Sequence, residues 1–234
     1  MELTPNEGKK CIIEVDGQRY ERLPIKTHLI TDKDNIIEVA KQYGAPALSQ
    51  PGDVLFITEK IVACTQGRAI PLETIKPRKL AYWLSNFVTK TPHGIGLGMP
   101  ETMEYALREV GTLRILFAAA VSVIGKKIFK KKGWFYAVAG YRARSFDGPT
   151  KNTIPPYNQC VVLGPLNPDK VAKEIKAVIG YDVLISDIND LEGQILGASS
   201  KDLDKKLYAR ILKDNPLGQD RQQTPMGIIR KVAD

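Results

Sequence analysis

A mixed α/β fold (α/β, with α+β character) is what this chain predicts, and three observations predict it. Short apolar runs rich in β-branched residues, Val54 to Ile57, Gln159 to Leu163 and Asp182 to Ser186, have the length and composition of buried strands. Segments with one apolar face at helical spacing alternate with them, as in Ile36-Ile37-Ala40-Tyr43 and Val171-Ile175-Val178-Ile179. No repeat, low-complexity tract or linker interrupts the 234 residues, a length that buries a large core and suits a single domain with two lobes. Alternating strand and helix signals mark layers of helix on sheet.

Taken in order, Cys11 to Val15 and Gln18 to Arg22 flank Asp16-Gly17, a pair that accepts the positive φ of a tight turn, and so form a hairpin. Leu23-Pro24-Ile25-Lys26-Thr27-His28 follows as extended chain, because proline disfavours helix in the residue before it. A helix runs from Asp34 to Tyr43 and stops at Gly44. Pro51-Gly52 turns the chain into the central strand Val54 to Ile57. Glu59 and Lys60 then fall at its carboxyl end, where open α/β sheets bind ligands. Ala69-Ile70 extends a sheet, and Pro77 to Val88 reads as a helix with proline near its first turn. Glu101 to Val110 and Leu113 to Ile124 are helices joined at Gly111, the second expected to be buried nearly all round. Gly133 to Gly140 has strand composition and leads towards Asp147. Asn167-Pro168 opens a helix that ends at Gly180, and Asp182 to Ser186 is a buried strand running out into Asp187-Ile188-Asn189-Asp190. A last helix from Asp202 to Lys213 stops at Asp214-Asn215-Pro216-Leu217-Gly218-Gln219.

The formal net charge of +8 and pI near 9.3 favour an anionic partner, whether nucleotide, polyphosphate, nucleic acid or acidic peptide. Lys126, Lys127, Lys130, Lys131 and Lys132 concentrate much of that charge, as a solvated loop or as a polyanion contact. Without an interleaved platform of aromatics and arginines, nucleic acid is not the expected partner. Three scattered cysteines, Cys11, Cys64 and Cys160, with no C-x-x-C pair, give neither a disulfide framework nor a zinc cluster and suit a reducing cytoplasm. The opening residues, with Glu2, Asn6 and Glu7 and no apolar run, do not read as a signal peptide. The most apolar stretch, Ile115 to Gly125, is about half the length that spans a bilayer, so a soluble chain with no membrane partner is expected.

Two kinds of segment permit chemistry. Ahead of a helix beginning near Pro100, Gly94, Gly96 and Gly98 alternate after His93 and leave backbone N–H groups open, which suits a phosphate or carboxylate. The same spacing also makes a lid or a packing turn, and neither a Walker A loop nor a dinucleotide fingerprint is present. Asp187, with Asn189, Asp190 and Glu192 close behind, and Asp147 offer oxygen ligands without histidine or thiolate. That donor set suits Mg²⁺ or Mn²⁺ in nucleotide enzymes, or else serves ordinary turn chemistry. His28 and His93 stand alone, as hydrogen-bonded structural residues or as general bases. Cys64 reads as a small apolar residue or as a thiol beside Lys60.

The ordered motifs Leu23-Pro24-Ile25, Gly52-Asp53-Val54, Glu59-Lys60-Ile61-Val62, Gly67-Arg68, Phe135 to Gly140, Leu163 with Pro168-Asp169, and Ile185-Ser186-Asp187 together resemble a known family. It is the γ-glutamyl ligase that adds glutamate to the deazaflavin coenzyme factor 420. The resemblance covers about residues 20 to 70 and 133 to 197 of a single ligase-like domain, 1–234, in which 71–132 is an extra block. It implies a mixed α/β ligase fold, an intertwined homodimer, and a GTP (or ATP) site with divalent cations. Phosphoryl transfer there turns a substrate carboxylate into an acyl phosphate that an amine attacks. Carried onto this chain, Lys60 would neutralise the transferring phosphate as the catalytic residue. Leu23, Pro24, Ile25 and Lys26, with Glu59, would line the nucleotide, and Asp187, Asp147 and Asp190 would hold the cations.

The chain departs from the family where the K-I-V-S-K-x-E-G run has a second lysine and an acid, here Cys64 and Gln66. The family's Asn-Ala-Gly-x-Asp pattern survives only as Val138-Ala139-Gly140, with Tyr141 to Phe146 ahead of Asp147. The expected activity is a nucleotide- and metal-dependent amide-bond ligase acting on a small carboxylate. The alternatives are a non-catalytic or regulatory nucleotide-binding protein of the same fold, and RNA or polyanion binding through the lysines.

Overall fold

The structure, a computed structural model, describes residues 3–88, 96–127, 129–130, 133–140, 143, 145–150, 153–189, 193–218 and 221–232. The chain divides into two compact units, one formed by Met1–Arg68 together with Pro165–Asp234 and the other by Ala69–Gly164.

In the first unit, Asp16 and Gly17 take φ of 54° and 76° and turn β1 (Ile12–Val15) into β2 (Gln18–Ile25), as the Asp-Gly signal requires. β2 runs on through Leu23-Pro24-Ile25. β1 begins at Ile12, opposite Glu21, so past Glu21 β2 has a strand partner on one side only, where proline is tolerated. Asn35 caps α1 (Ile36–Val39) by accepting from the N–H groups of Ile37 and Glu38. The chain then passes through a wide turn, Ala40–Gly44, and a tight one, Ala45–Ala47. Gly44 therefore does not stop the helix: its backbone is helical, and a Cβ there would stand 2.9 Å from a methyl of Leu55, so the glycine serves close approach to the sheet. β3 (Val54–Thr58) follows and leads directly into α2 (Glu59–Thr65). After the second unit come α7 (Pro168–Ile179), β6 (Asp182–Ile188), β7 (Gly193–Ala198), α8 (Lys205–Ile211) and β8 (Met226–Lys231).

These strands form a six-stranded sheet in the order β1-β2-β8-β3-β6-β7, in which β3 and β6 are the parallel pair and all other neighbours are antiparallel. Leu55, Ile57, Val183, Ile185 and Ile228 pack with Val39, Val62, Val171 and Ile175 of the helices in one core. Val54, Phe56, Leu184 and Ile229 pack with Ile211, Leu212 and Leu217 in another. Burial on both faces is why the central strands read as unbroken apolar runs.

The second unit has its own core, in which Leu97, Met103, Leu107, Ile115, Phe146, Val161 and Leu163 are buried. It contains α3 (Lys79–Ser85), α4 (Pro100–Ala106), α5 (Thr112–Lys127), α6 (Trp134–Ala139) and the antiparallel pair β4 (Ala69–Pro71) and β5 (Cys160–Val162). Pro77 precedes Arg78, the N-cap of α3, rather than lying in its first turn. Gly111 separates α4 from α5 at φ 98°, as expected. Two further expectations fail. Gly133 to Gly140 is the helix α6, bounded by glycines at φ 94° and 88°, and not a strand. Its Trp134 ring lies where a Cβ on Gly125 of α5 would be, at 2.8 Å, and an aromatic-rich segment whose partner is a helix obeys that partner rather than its β propensity. Nor is α5 buried all round: Ile115 and Ala118 are fully buried, but Leu113 is 84% and Phe117 63% exposed. Among the described residues no helix is long and apolar enough to cross a membrane.

Candidate functional site

Because β2 and β3 flank β8 and β6 runs parallel to β3, Ile25, Met226, Ile57 and Ile185 form one row across four strands. The residues beyond that row therefore share one edge of the sheet: Lys26 after β2, Glu59 and Lys60 after β3, and Ser186 and Asp187 at the end of β6. The edge is held from within. The N–H of Thr58 donates to the Pro225 carbonyl at 2.9 Å, and that of Thr27 donates to the Gln223 carbonyl at 3.0 Å. The buried Ser186 hydroxyl donates to the Ile57 carbonyl at 3.2 Å, and a β-bulge in the β6–β7 pairing begins between Ile185 and Ser186.

Of the residues expected to line a nucleotide, Pro24 and Ile25 are buried, Leu23 is half-buried, and Lys26 is exposed. Thr58 is extended, at φ −67° and ψ 142°, and turns the strand into α2, so that Glu59 and Lys60 are its first two residues, both half-buried. An acid in that first turn complements the helix dipole. Asp187 is half-buried opposite Gln194. Lys26, Glu59, Lys60 and Asp187 are thus brought to one sheet edge. Asp147 belongs to the second unit, where it is exposed and exchanges two backbone hydrogen bonds of 2.9 Å with Val162. Asp190, His93 and Gly94 lie outside the described residues. Gly96 and Gly98 form a tight turn whose Leu97 is 1% exposed in the core of the second unit.

Sequence reasoning left His28 with no partner. Its Nδ1 is 2.8 Å from the Tyr43 hydroxyl and its Nε2 is 2.8 Å from Asp34, whose other oxygen accepts from the Thr31 N–H at 2.7 Å. That backbone bond first, and then the bonds from His28 and the Thr31 hydroxyl, hold the Asp34 carboxyl below its usual range despite its partial desolvation. Separations of 6 and 15 residues leave no local pattern from which these contacts could be read.

The model of the family described as F420-0:Gamma-glutamyl ligase matches residues 24–196. The chain belongs to this family. No curated protein matches it. The F420-0:gamma-glutamyl ligase match contains Lys26, Glu59, Lys60 and Asp187, and β8, which braces their edge, lies beyond it. Where the resemblance led us to expect a second lysine and an acid after Lys60, both positions have structural work. Cys64 is 2% exposed inside α2. Gln66 forms a two-bond clamp with Leu166, donating to its carbonyl at 3.0 Å and accepting from its N–H at 2.7 Å. Asp169 of the Pro-Asp motif accepts from the Ala198 N–H and from Lys205, both at 2.9 Å, and so anchors α7 to β7.

Proposed function

We propose that this member of the F420-0:gamma-glutamyl ligase family joins a small carboxylate to an amine, with GTP as phosphoryl donor and Mg²⁺ or Mn²⁺ as its counter-ion. The observation that carries the reading is the single sheet edge bearing Lys26, Glu59, Lys60 and Asp187 inside the family match. In the proposed reaction an oxygen of the substrate carboxylate bonds to the γ-phosphorus as the bond from that phosphorus to the departing diphosphate breaks. The amine then attacks the acyl carbon, phosphate leaves, and the nitrogen gives up a proton. Phosphoryl transfer depends on positioned charge, which gives the Lys60 ammonium its role against the phosphate oxygens.

Among the described residues no three histidine, cysteine or carboxylate side chains converge to hold a metal ion. A Mg²⁺ ion held by one or two carboxylates and the phosphates fits a site with Asp187 as its protein ligand. When bound, such an ion would neutralise phosphate charge.

The test is thermal melting with GTP and Mn²⁺, followed by phosphate release across a panel of carboxylate and amine pairs that includes glutamate. Ligand bound to the folded state raises the melting temperature, and Lys60→Ala and Asp187→Asn remove the rise. No rise in the unaltered protein overturns the reading. The second reading, a nucleotide-binding protein without turnover, is favoured by the uncharged Cys64 and Gln66. It expects the rise without phosphate release from any pair.

A further inference from the structure

Helix α5 carries a surface that the ligase reading does not use. Leu113, Leu116, Phe117, Ala120, Val123 and Ile124 recur at intervals that a 3.6-residue helix gathers into one stripe. Leu113 is 84%, Phe117 63%, Val123 51% and Ile124 46% exposed, while Ile115 and Ala118 hold the opposite side in the core of the second unit. The helix has 16 residues and so is about 24 Å long. Beyond it, Phe129 is 55% exposed and stacks on Trp134 at 5.2 Å, and Lys130 is exposed beside it. From Gly111 to Phe146 the sequence holds eight of the chain's 34 lysines and arginines and none of its 26 aspartates and glutamates. The rest of the chain carries 26 residues of each sign, so this segment accounts for the whole net charge of +8.

We infer that this face docks on the anionic surface of a lipid bilayer, with α5 lying in the plane of the interface. An apolar stripe in a segment whose only charged residues are cations suits both layers of such a surface, the acyl boundary and the charged headgroups. A nucleic acid would engage the cations and leave the aliphatic stripe in water. A second copy would cover the stripe and bring to the cations a segment that itself has no acid.

The test is co-sedimentation of the full chain with vesicles of phosphatidylcholine alone or mixed with phosphatidylglycerol. Binding to the anionic vesicles is expected to be about a hundredfold tighter, the factor for engaging three of the segment's eight basic side chains at roughly fivefold each, and to weaken as salt is raised. Leu113→Ser with Phe117→Ser lowers that binding by about tenfold or more with little change in melting temperature, because both side chains already face solvent. Lys130→Glu weakens it as well. Equal or absent binding to the two kinds of vesicle overturns the inference. So does a dimer, seen by light scattering and abolished by the double serine variant, in a protein that ignores vesicles. RNA retention that survives the double serine variant, without vesicle binding, overturns it too.

Discussion

Replacing Asp53 by asparagine removes one charge and little volume from the turn that feeds β3. The Asp53 side chain is 1% exposed and accepts four hydrogen bonds: from Arg230 at 2.8 and 2.6 Å, and from the N–H groups of Ser49 and Gln50 at 2.9 and 3.0 Å. Burial works to raise its pKa, but the Arg230 fork and the two backbone donors outweigh it and hold the carboxyl below the ordinary range. Breaking a buried pair costs about 3–5 kcal/mol. Arg230 keeps some contact with water, at 16% exposure, which puts the loss near the lower end, about 3 kcal/mol. For a chain of this size that is a fall of roughly 6–12 °C in melting temperature. A depressed carboxyl pKa stabilises the fold at pH values above the unfolded-state value, about 4, and the contribution is lost as pH falls through the folded value. Urea unfolding followed by circular dichroism at neutral pH and at about pH 3.5 measures the gap between the unaltered protein and Asp53→Asn. It should be full at neutral pH and shrink in acid. A gap under about 1 kcal/mol at neutral pH, or one that does not change with pH, refutes the argument.

Other substitutions probe other contacts. A Cβ on Gly197 would stand 2.4 Å from the Pro168 carbonyl and 2.7 Å from the Asp169 nitrogen, so Gly197→Ala should lower stability by about 2–3 kcal/mol in the same unfolding assay. Gln66→Glu keeps the acceptor for the Leu166 N–H but sets an anion against its carbonyl. A loss of about 1–3 kcal/mol is expected, with no gain in nucleotide-induced melting shift. Glu104 is 1% exposed and accepts from the Arg78 N–H and side chain and from Arg108 at 2.7 Å. Glu104→Gln should cost about 2 kcal/mol, read by tryptophan fluorescence, because Trp83 and Trp134 both lie in the second unit.

How much of this could be read from the residues depends on who their neighbours are. The Asp16-Gly17 hairpin and the strands Val54–Thr58 and Asp182–Ile188 were legible, since a turn residue and a doubly buried apolar run carry their own signals. Placing Glu59, Lys60 and Asp187 at strand ends was legible for the same reason. The segment Trp134–Ala139 was misread because its aromatic residues pack on a helix, and composition does not name the partner. The α5 stripe was misread as core because an alanine-rich apolar sequence looks the same whether protein, lipid or water lies against it. The Gln66–Leu166 clamp spans 100 positions and left no trace in spacing.

The middle of the six-stranded sheet is occupied by its last strand. β8 lies between β2 and β3, and a Cβ on its Gly227 would be 2.7 Å from both the Leu23 carbonyl and the Phe56 ring, so no bulkier residue fits the slot. Until β8 has been made, a nascent chain must therefore hold two parts of a sheet apart, each with an open edge. Products cut short before Pro225 should be handled by the cell as sticky, unfinished chains.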